Sequence, residues 1–154
     1  MAEMASSSMK AEVLKMIPQQ APFRFVDEII ELHETGVTGK YTYREDEYFY
    51  QGHFPGNPVT PGVILIETMA QIGLVALGIF LHMESGEKDN IVTLFAESDV
   101  EFSHPVLPGD TVIVKSEKLF YRRKKLKAKV ELLHANGNVA ARGTLSGVGV
   151  KQHG

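Results

Sequence analysis

The sequence contains no cysteine and no tryptophan among its 154 residues. Without cysteine there is no disulfide framework, no thiolate nucleophile and no cysteine-based zinc or iron–sulfur site, so any thiol chemistry has to come from a substrate. An excess of positive charge is also missing. The formal net charge is -3, which argues against a nucleic-acid binder, because neutralising phosphates takes a strongly basic face. Met1 to Lys10 lacks the apolar stretch of a secretory signal. It reads as a poorly ordered end (1–9) ahead of one domain (10–150), with a cytoplasmic location by default. No run makes a clean membrane span: Pro61 to Met83 comes nearest, but Glu67, Gln71 and Gly73 interrupt it. A carboxylate facing lipid is costly, whereas a helix buried in a protein core explains the same residues. There is no P-loop or dinucleotide fingerprint. His33, His82, His104, His134 and His153 show no metal-ligand spacing, so neither a metal nor a cofactor is expected.

What is present is enough apolar material, 44% of residues, for one core. Lys10 to Ile17 reads as a short helix stopped by Pro18. Phe23 to Leu32 and Val37 to Tyr43 read as strands joined at Glu34-Thr35-Gly36. From Gly52 to Gly62, three glycines and three prolines in eleven residues forbid a regular element. Thr60 suits an N-cap and Pro61 a first helical position, so a long helix is expected to run to about Met83. Gly73 and Gly78 within it suggest close approach of another backbone. Four more strands follow: Asn90 to Phe102, Thr111 to Tyr121, Leu126 to Leu133 and Val139 to Val150. The third alternates Leu126, Ala128, Val130 and Leu132 with charged residues, giving one buried and one wet face. The pattern is α+β: an antiparallel sheet wrapped over a long central helix.

Glu67 fits its surroundings least, being the one acidic residue between Val63 and Met83. A carboxylate buried without a partner tends to bind a proton, and a raised pKa makes a general acid usable at neutral pH. Gln71 lies one turn further on the same face and can orient that carboxyl. At the helix start, the amides of Gly62 and Val63 lack intrahelical acceptors and can donate to a carbonyl gaining negative charge. Glu67 sits five residues on, roughly 7 to 8 Å along the axis. His53, in the loop stiffened by Pro55 and Pro58, supplies an imidazole that can take a proton from carbon near physiological pH.

These residues carry a resemblance. Gly52-His53-Phe54-Pro55-Gly56, then Pro61-Gly62-Val63, then Glu67 and Ala70-Gln71 look like the signature of the 3-hydroxyacyl-acyl-carrier-protein dehydratases of fatty acid synthesis. Pro18 to Asp27 and Phe102 to Asp110 are similar too. The resemblance implies a hot-dog fold and a dimer with its sites at the interface, His53 coming from one subunit and the acidic residue from its partner. It further implies that His53 is the base at C2, that Glu67 assists departure of the C3 hydroxyl, and that the Gly62 amide binds the thioester oxygen. The chain departs from the family's usual pattern at Gln19-Gln20-Ala21-Pro22, Arg24, Glu28 and His104. These departures leave the catalytic set in place and make a specialised polyketide-like or polyene pathway an alternative to general fatty acid synthesis.

The expected partner is an acyl carrier protein bearing a 3-hydroxyacyl group. Its docking surface is placed on the basic turn Arg122, Arg123, Lys124 and Lys125, where local positive charge speeds encounter with an acidic protein. A homodimer is expected, with a trimer of dimers left open. The acyl tunnel is assigned to Phe54, Ile64, Met69, Phe80 and Phe95. Two other readings are a hot-dog thioesterase in which Glu67 activates water, and a noncatalytic acyl-binding subunit.

Overall fold

The computed structural model describes residues 3–87 and 89–151; Met1, Ala2 and His153 lie outside the described residues. Its first helix, α1 (Ser7–Met16), opens where Ser6 Oγ accepts the Met9 amide at 3.1 Å. The helix thus starts at Ser7, ahead of the expected Lys10. The Ala5 amide donates to the Leu32 carbonyl at 2.7 Å, laying this segment along the edge of β1 (Glu28–His33). Arg24 closes the other end of α1. Its guanidinium donates to the carbonyls of Leu14 at 2.5 Å and Ile17 at 3.3 Å, the first of which also accepts the Ile17 amide at 3.4 Å.

Strand β1 begins five residues later than the expected Phe23, for a specific reason: the Phe25 amide donates to Gln71 Oε1 at 2.7 Å and so does not join a ladder. β2 (Gly36–Thr42), β3 (Ile91–Phe102), β4 (Thr111–Arg122), β5 (Lys125–His134) and β6 (Val139–Lys151) complete one antiparallel sheet of order β1-β2-β4-β5-β6-β3. The β4–β5 connection is a two-residue turn with Arg123 and Lys124 at φ 51° and 63°. This double left-handed turn matches the twist of the flanking strands.

The sheet wraps a continuous helix, Gly62–Glu84, made of α2 (Gly62–Ala70), a π-helical stretch (Gln71–Ala76) and α3 (Leu77–Glu84). This helix is long and apolar enough to cross a membrane, yet 83% of its most apolar window is buried inside the fold. Val112, Val114, Leu126, Ala128, Val130 and Leu132 face it and are almost fully buried. Each of the buried valine and leucine side chains contributes roughly 1.5 to 3 kcal/mol of transfer free energy. Contact is close at Gly73, where a Cβ would lie 3.1 Å from Val130 Cγ2 and where the carbonyl accepts Ser116 Oγ at 3.0 Å. Gly78 is less crowded, its nearest neighbour being 3.5 Å away. The hydroxyls of Tyr43 and Thr68, 2.6 Å apart, add a buried polar tie between sheet and helix. This is the hot-dog fold: one long helix held in one curved antiparallel sheet.

Candidate active site

The helix begins one residue later than its sequence suggests, and this decides the state of its first amides. Thr60 does not cap it. Thr60 Oγ1 lies 2.6 Å from Tyr50 Oη, both buried, and the Thr60 amide donates to the Val106 carbonyl at 2.8 Å. Pro61 takes the N-cap position, and no side chain caps the helix there. The Pro61 carbonyl accepts from Ile64 and Leu65 at 2.9 and 3.1 Å. Among the described residues, the amides of Gly62 and Val63 have no acceptor, which leaves two donors at the positive end of the helix. Val63 is 73% exposed, and the Phe102 ring lies over Gly62.

His53 sits in a loop that is bonded to itself. Its main-chain carbonyl accepts the Val59 amide at 2.9 Å, and its ring Nδ1 lies 2.9 Å from the Val59 carbonyl. An imidazole nitrogen beside a carbonyl oxygen carries the proton, so Nε2 is left with its lone pair, as a base requires. Inside this pair, Phe54 and Asn57 exchange two backbone bonds at 3.2 and 2.9 Å. Gly56, at φ 73°, makes the reversal. The Phe54 ring stacks on that of His53 at 4.1 Å.

Glu67 lies on the helix at the edge of a cavity of about 260 Å³. Phe23, Ala70, Leu74, Val75 and Phe95 form most of the wall, with Gln19 and Thr93 as polar members. Burial pushes the Glu67 carboxyl above its ordinary value, opposed in part by the hydrogen bond from Gln71. Gln71 is completely buried and three of its bonds are made within the protein. Oε1 accepts from Phe25 N, while Nε2 donates to the Phe23 carbonyl and to Glu67 Oε2, both at 2.9 Å. The π-helical stretch starts at this glutamine.

Of the expected tunnel residues, Phe95 alone borders the Glu67 cavity. Met69 is wholly inside the core, Ile64 is buried, Phe54 is half exposed beside His53, and Phe80 faces a separate cleft shared with Met4 and Met9. Gln19 and Phe23, which the sequence reading did not select, stand in the wall instead. The arrangement of α1 and Arg24 that carries them there has no local signature. Within one chain, neither His53 nor the Gly62–Val63 amides contribute to this cavity.

The basic turn is half neutralised. Lys124 Nζ lies 3.4 Å from Glu87 and 3.9 Å from Asp89, and Lys125 Nζ lies 3.5 Å from Glu97. Arg122 stacks over Phe120 at 4.7 Å, and neither Arg122 nor Arg123 has an acidic partner among the described residues. Folding also brings together a set that sequence spacing did not reveal: His82, Glu87 and Asp89 hold possible metal-ligand atoms within 4.8 Å of one another. The Lys124 ammonium already supplies a cation to both carboxylates there, so the cluster is accounted for as an ion-pair network.

A curved sheet around a buried helix, with a carboxyl beside an apolar cavity and free amides at the helix tip, defines a hot-dog domain equipped for acid–base chemistry. The chain belongs to the FabA-like domain family, which matches residues 17–145. It is 36% identical to the 3-hydroxyacyl-(acyl-carrier-protein) dehydratase FabZ of Thermus thermophilus over 88% of this chain and 92% of that one. Identity to the FabZ of Geobacter metallireducens is 43%, over 68% of this chain and 69% of the relative. Among solved structures, the dehydratase heterocomplex ApeI:P from Xenorhabdus doucetiae superposes with a TM-score of 0.74 at 19% identity, covering 92% of this chain and 91% of that one. A hypothetical thioesterase with coenzyme A from Streptococcus pneumoniae superposes with a TM-score of 0.55 at 18% identity, covering 82% of this chain and 88% of the other. These two likenesses concern the fold.

Proposed function

We propose that this chain dehydrates carrier-bound 3-hydroxyacyl thioesters to trans-2-enoyl thioesters in the cytoplasm, in fatty acid or related polyketide and polyene synthesis. The observation that carries the reading is Glu67, a carboxyl with its pKa raised by burial at an apolar cavity and aimed by a glutamine that cannot turn. The identities to FabZ relatives over most of the chain support the same reaction.

The chemistry follows from three groups. A thioester carbonyl at the Gly62 and Val63 amides gains negative charge as the C2–H bond weakens, and those donors stabilise it. His53 Nε2 takes the C2 proton, the C2–H electrons form the C2=C3 bond, and the C3–O bond breaks. Glu67 donates its proton to the departing hydroxyl, which leaves as water. Glu67 ends as a carboxylate and His53 as an imidazolium, and proton exchange restores both.

The same reading takes the working unit to be a homodimer, with His53 and Gly62 of one chain serving the partner's Glu67. In support, β3 lies at the end of the sheet order, its outer edge unpaired among the described residues. It exposes Leu94, Phe95 and Phe102, of which the first two also border the Glu67 cavity. A second chain along this edge would cover apolar surface and close the cavity. Arg122 and Arg123 are the proposed contacts for the acidic carrier protein.

The test is turnover of a 3-hydroxyacyl thioester by the wild type, His53→Ala and Glu67→Gln. The reading expects an enoyl thioester from the wild type and a loss of at least ~100-fold in each variant. Wild-type turnover in either variant would remove the role assigned to that residue.

A further inference from the structure

The His53 loop is bonded to itself, and among the described residues the hydrogen bonds of residues 53–59 all fall within the loop. The paired bonds of His53 with Val59 and of Phe54 with Asn57 fix its internal shape, yet they do not say where that shape sits relative to the helix tip. At one end the chain enters through Tyr50, the buried member of the 3₁₀ turn Tyr48–Gln51. At the other it leaves through Thr60, next to the N-cap Pro61. The two ends meet side chain to side chain: Tyr50 Oη and Thr60 Oγ1 are 2.6 Å apart, with Tyr50 at 5% exposure and Thr60 at 4%. The Thr60 amide is tied to the Val106 carbonyl at 2.8 Å, so this junction has a fixed reference in the fold.

We propose that Tyr50 and Thr60 are positioning residues of the active site: their hydroxyl–hydroxyl bond clasps the two ends of the His53 loop and sets Nε2 against the free amides of Gly62 and Val63. The inference rests on the reading of His53 as the base. Directionality is what the clasp adds. A pair of apolar side chains could fill the same space, but an O–H···O bond fixes both distance and angle, and apolar contact does neither. Burial pushes the Tyr50 hydroxyl up from its ordinary value, so it stays protonated and able to donate across the working range. Either hydroxyl removed alone leaves the other buried without a partner. Removing both takes away the orphan, which separates a stability effect from a positioning effect.

The experiment measures kcat, KM and Tm for the full chain as wild type, Tyr50→Phe, Thr60→Val and the Tyr50→Phe/Thr60→Val double variant, with His53→Ala alongside. The expected result is a kcat lowered roughly tenfold in each single variant with KM within about twofold, because a misaimed base costs turnover more than binding. In the double variant Tm recovers toward the wild type while kcat stays low. Recovery of kcat together with Tm would overturn the proposal, since the pair would then serve stability alone, as would wild-type kcat in Tyr50→Phe. Wild-type kcat in His53→Ala would instead overturn the assignment of the base, whatever the clasp variants do.

Discussion

Gln71 Nε2 donates to Glu67 Oε2 across one helical turn at 2.9 Å, while the other bonds of the same amide are taken by the backbone of Phe23 and Phe25. The glutamine therefore cannot rotate without breaking bonds to a segment distant in sequence. Its donor stays on the carboxyl, and the remaining oxygen of Glu67 is left to carry the proton.

Replacing that amide should be costly. Gln71→Met removes the partners of the buried Phe25 N–H and Phe23 carbonyl and should destabilise the fold by roughly 2 to 4 kcal/mol, read by urea unfolding. Because the Gln71 bond lowers the Glu67 pKa, its loss should also move that pKa further up. A variant as stable as the wild type would contradict the role given to these bonds.

The raised Glu67 pKa has a consequence for stability with a definite sign. The folded chain holds this proton more tightly than the unfolded chain, whose glutamate ionises near the ordinary 4.5. Below 4.5 both states are protonated and the group's contribution is at its most favourable. As pH rises from 4.5 through the folded value, the unfolded state releases its proton first and stability is lost. Glu67→Gln cannot ionise. Its stability relative to the wild type should therefore climb as pH rises above 4.5 in chemical unfolding, and a flat difference would argue against a raised value.

At the helix tip, Gly62→Ala places a methyl where Phe102 Cζ is only 3.1 Å away. Phe102 is half exposed and can move, so the fold should survive with a loss of about 1 kcal/mol or less. The displaced ring and added methyl should nevertheless obstruct the two free amides. Turnover is expected to fall by about tenfold or more. Unchanged turnover would show that the thioester oxygen lies elsewhere.

For the carrier protein, the separation between engaged and unengaged cations makes a selective test. Arg122→Glu with Arg123→Glu should raise KM for carrier-bound substrate severalfold while leaving a small thioester analogue within about twofold. Lys124 and Lys125, held by Glu87 and Glu97, should matter less. Equal effects on both substrates would remove the turn from the docking surface.

Much of this architecture was legible because its signals are local. The alternation of Leu126, Ala128, Val130 and Leu132 needs only the period of a strand, and these four residues are buried in β5. The long helix was visible from its apolar run, but its π-helical stretch was not, since Gly73 within Gln71 to Ala76 signals close packing and not a change of helical pitch. Thr60 misleads for a different reason. Its hydroxyl has two possible partners, and Tyr50, ten residues earlier in the chain, takes it from the helix. Likewise, Glu67 and Gln71 are one turn apart and could be paired on paper. Gln19 and Phe23 join them through the path of α1, the Arg24 bonds and the long-range bond from Gln71 to the Phe23 carbonyl, none of which periodicity encodes. Ile64, Met69 and Phe80 were plausible tunnel residues by type, yet the face each turns is decided by how the sheet wraps the helix.

The most direct measurement is the mass of the product when wild-type protein is given a 3-hydroxyacyl group on its carrier. The account predicts loss of one water with the thioester intact, at a rate that collapses in Glu67→Gln. Free carrier thiol with a released hydroxy acid, or an unaltered acyl group after prolonged incubation, would contradict it.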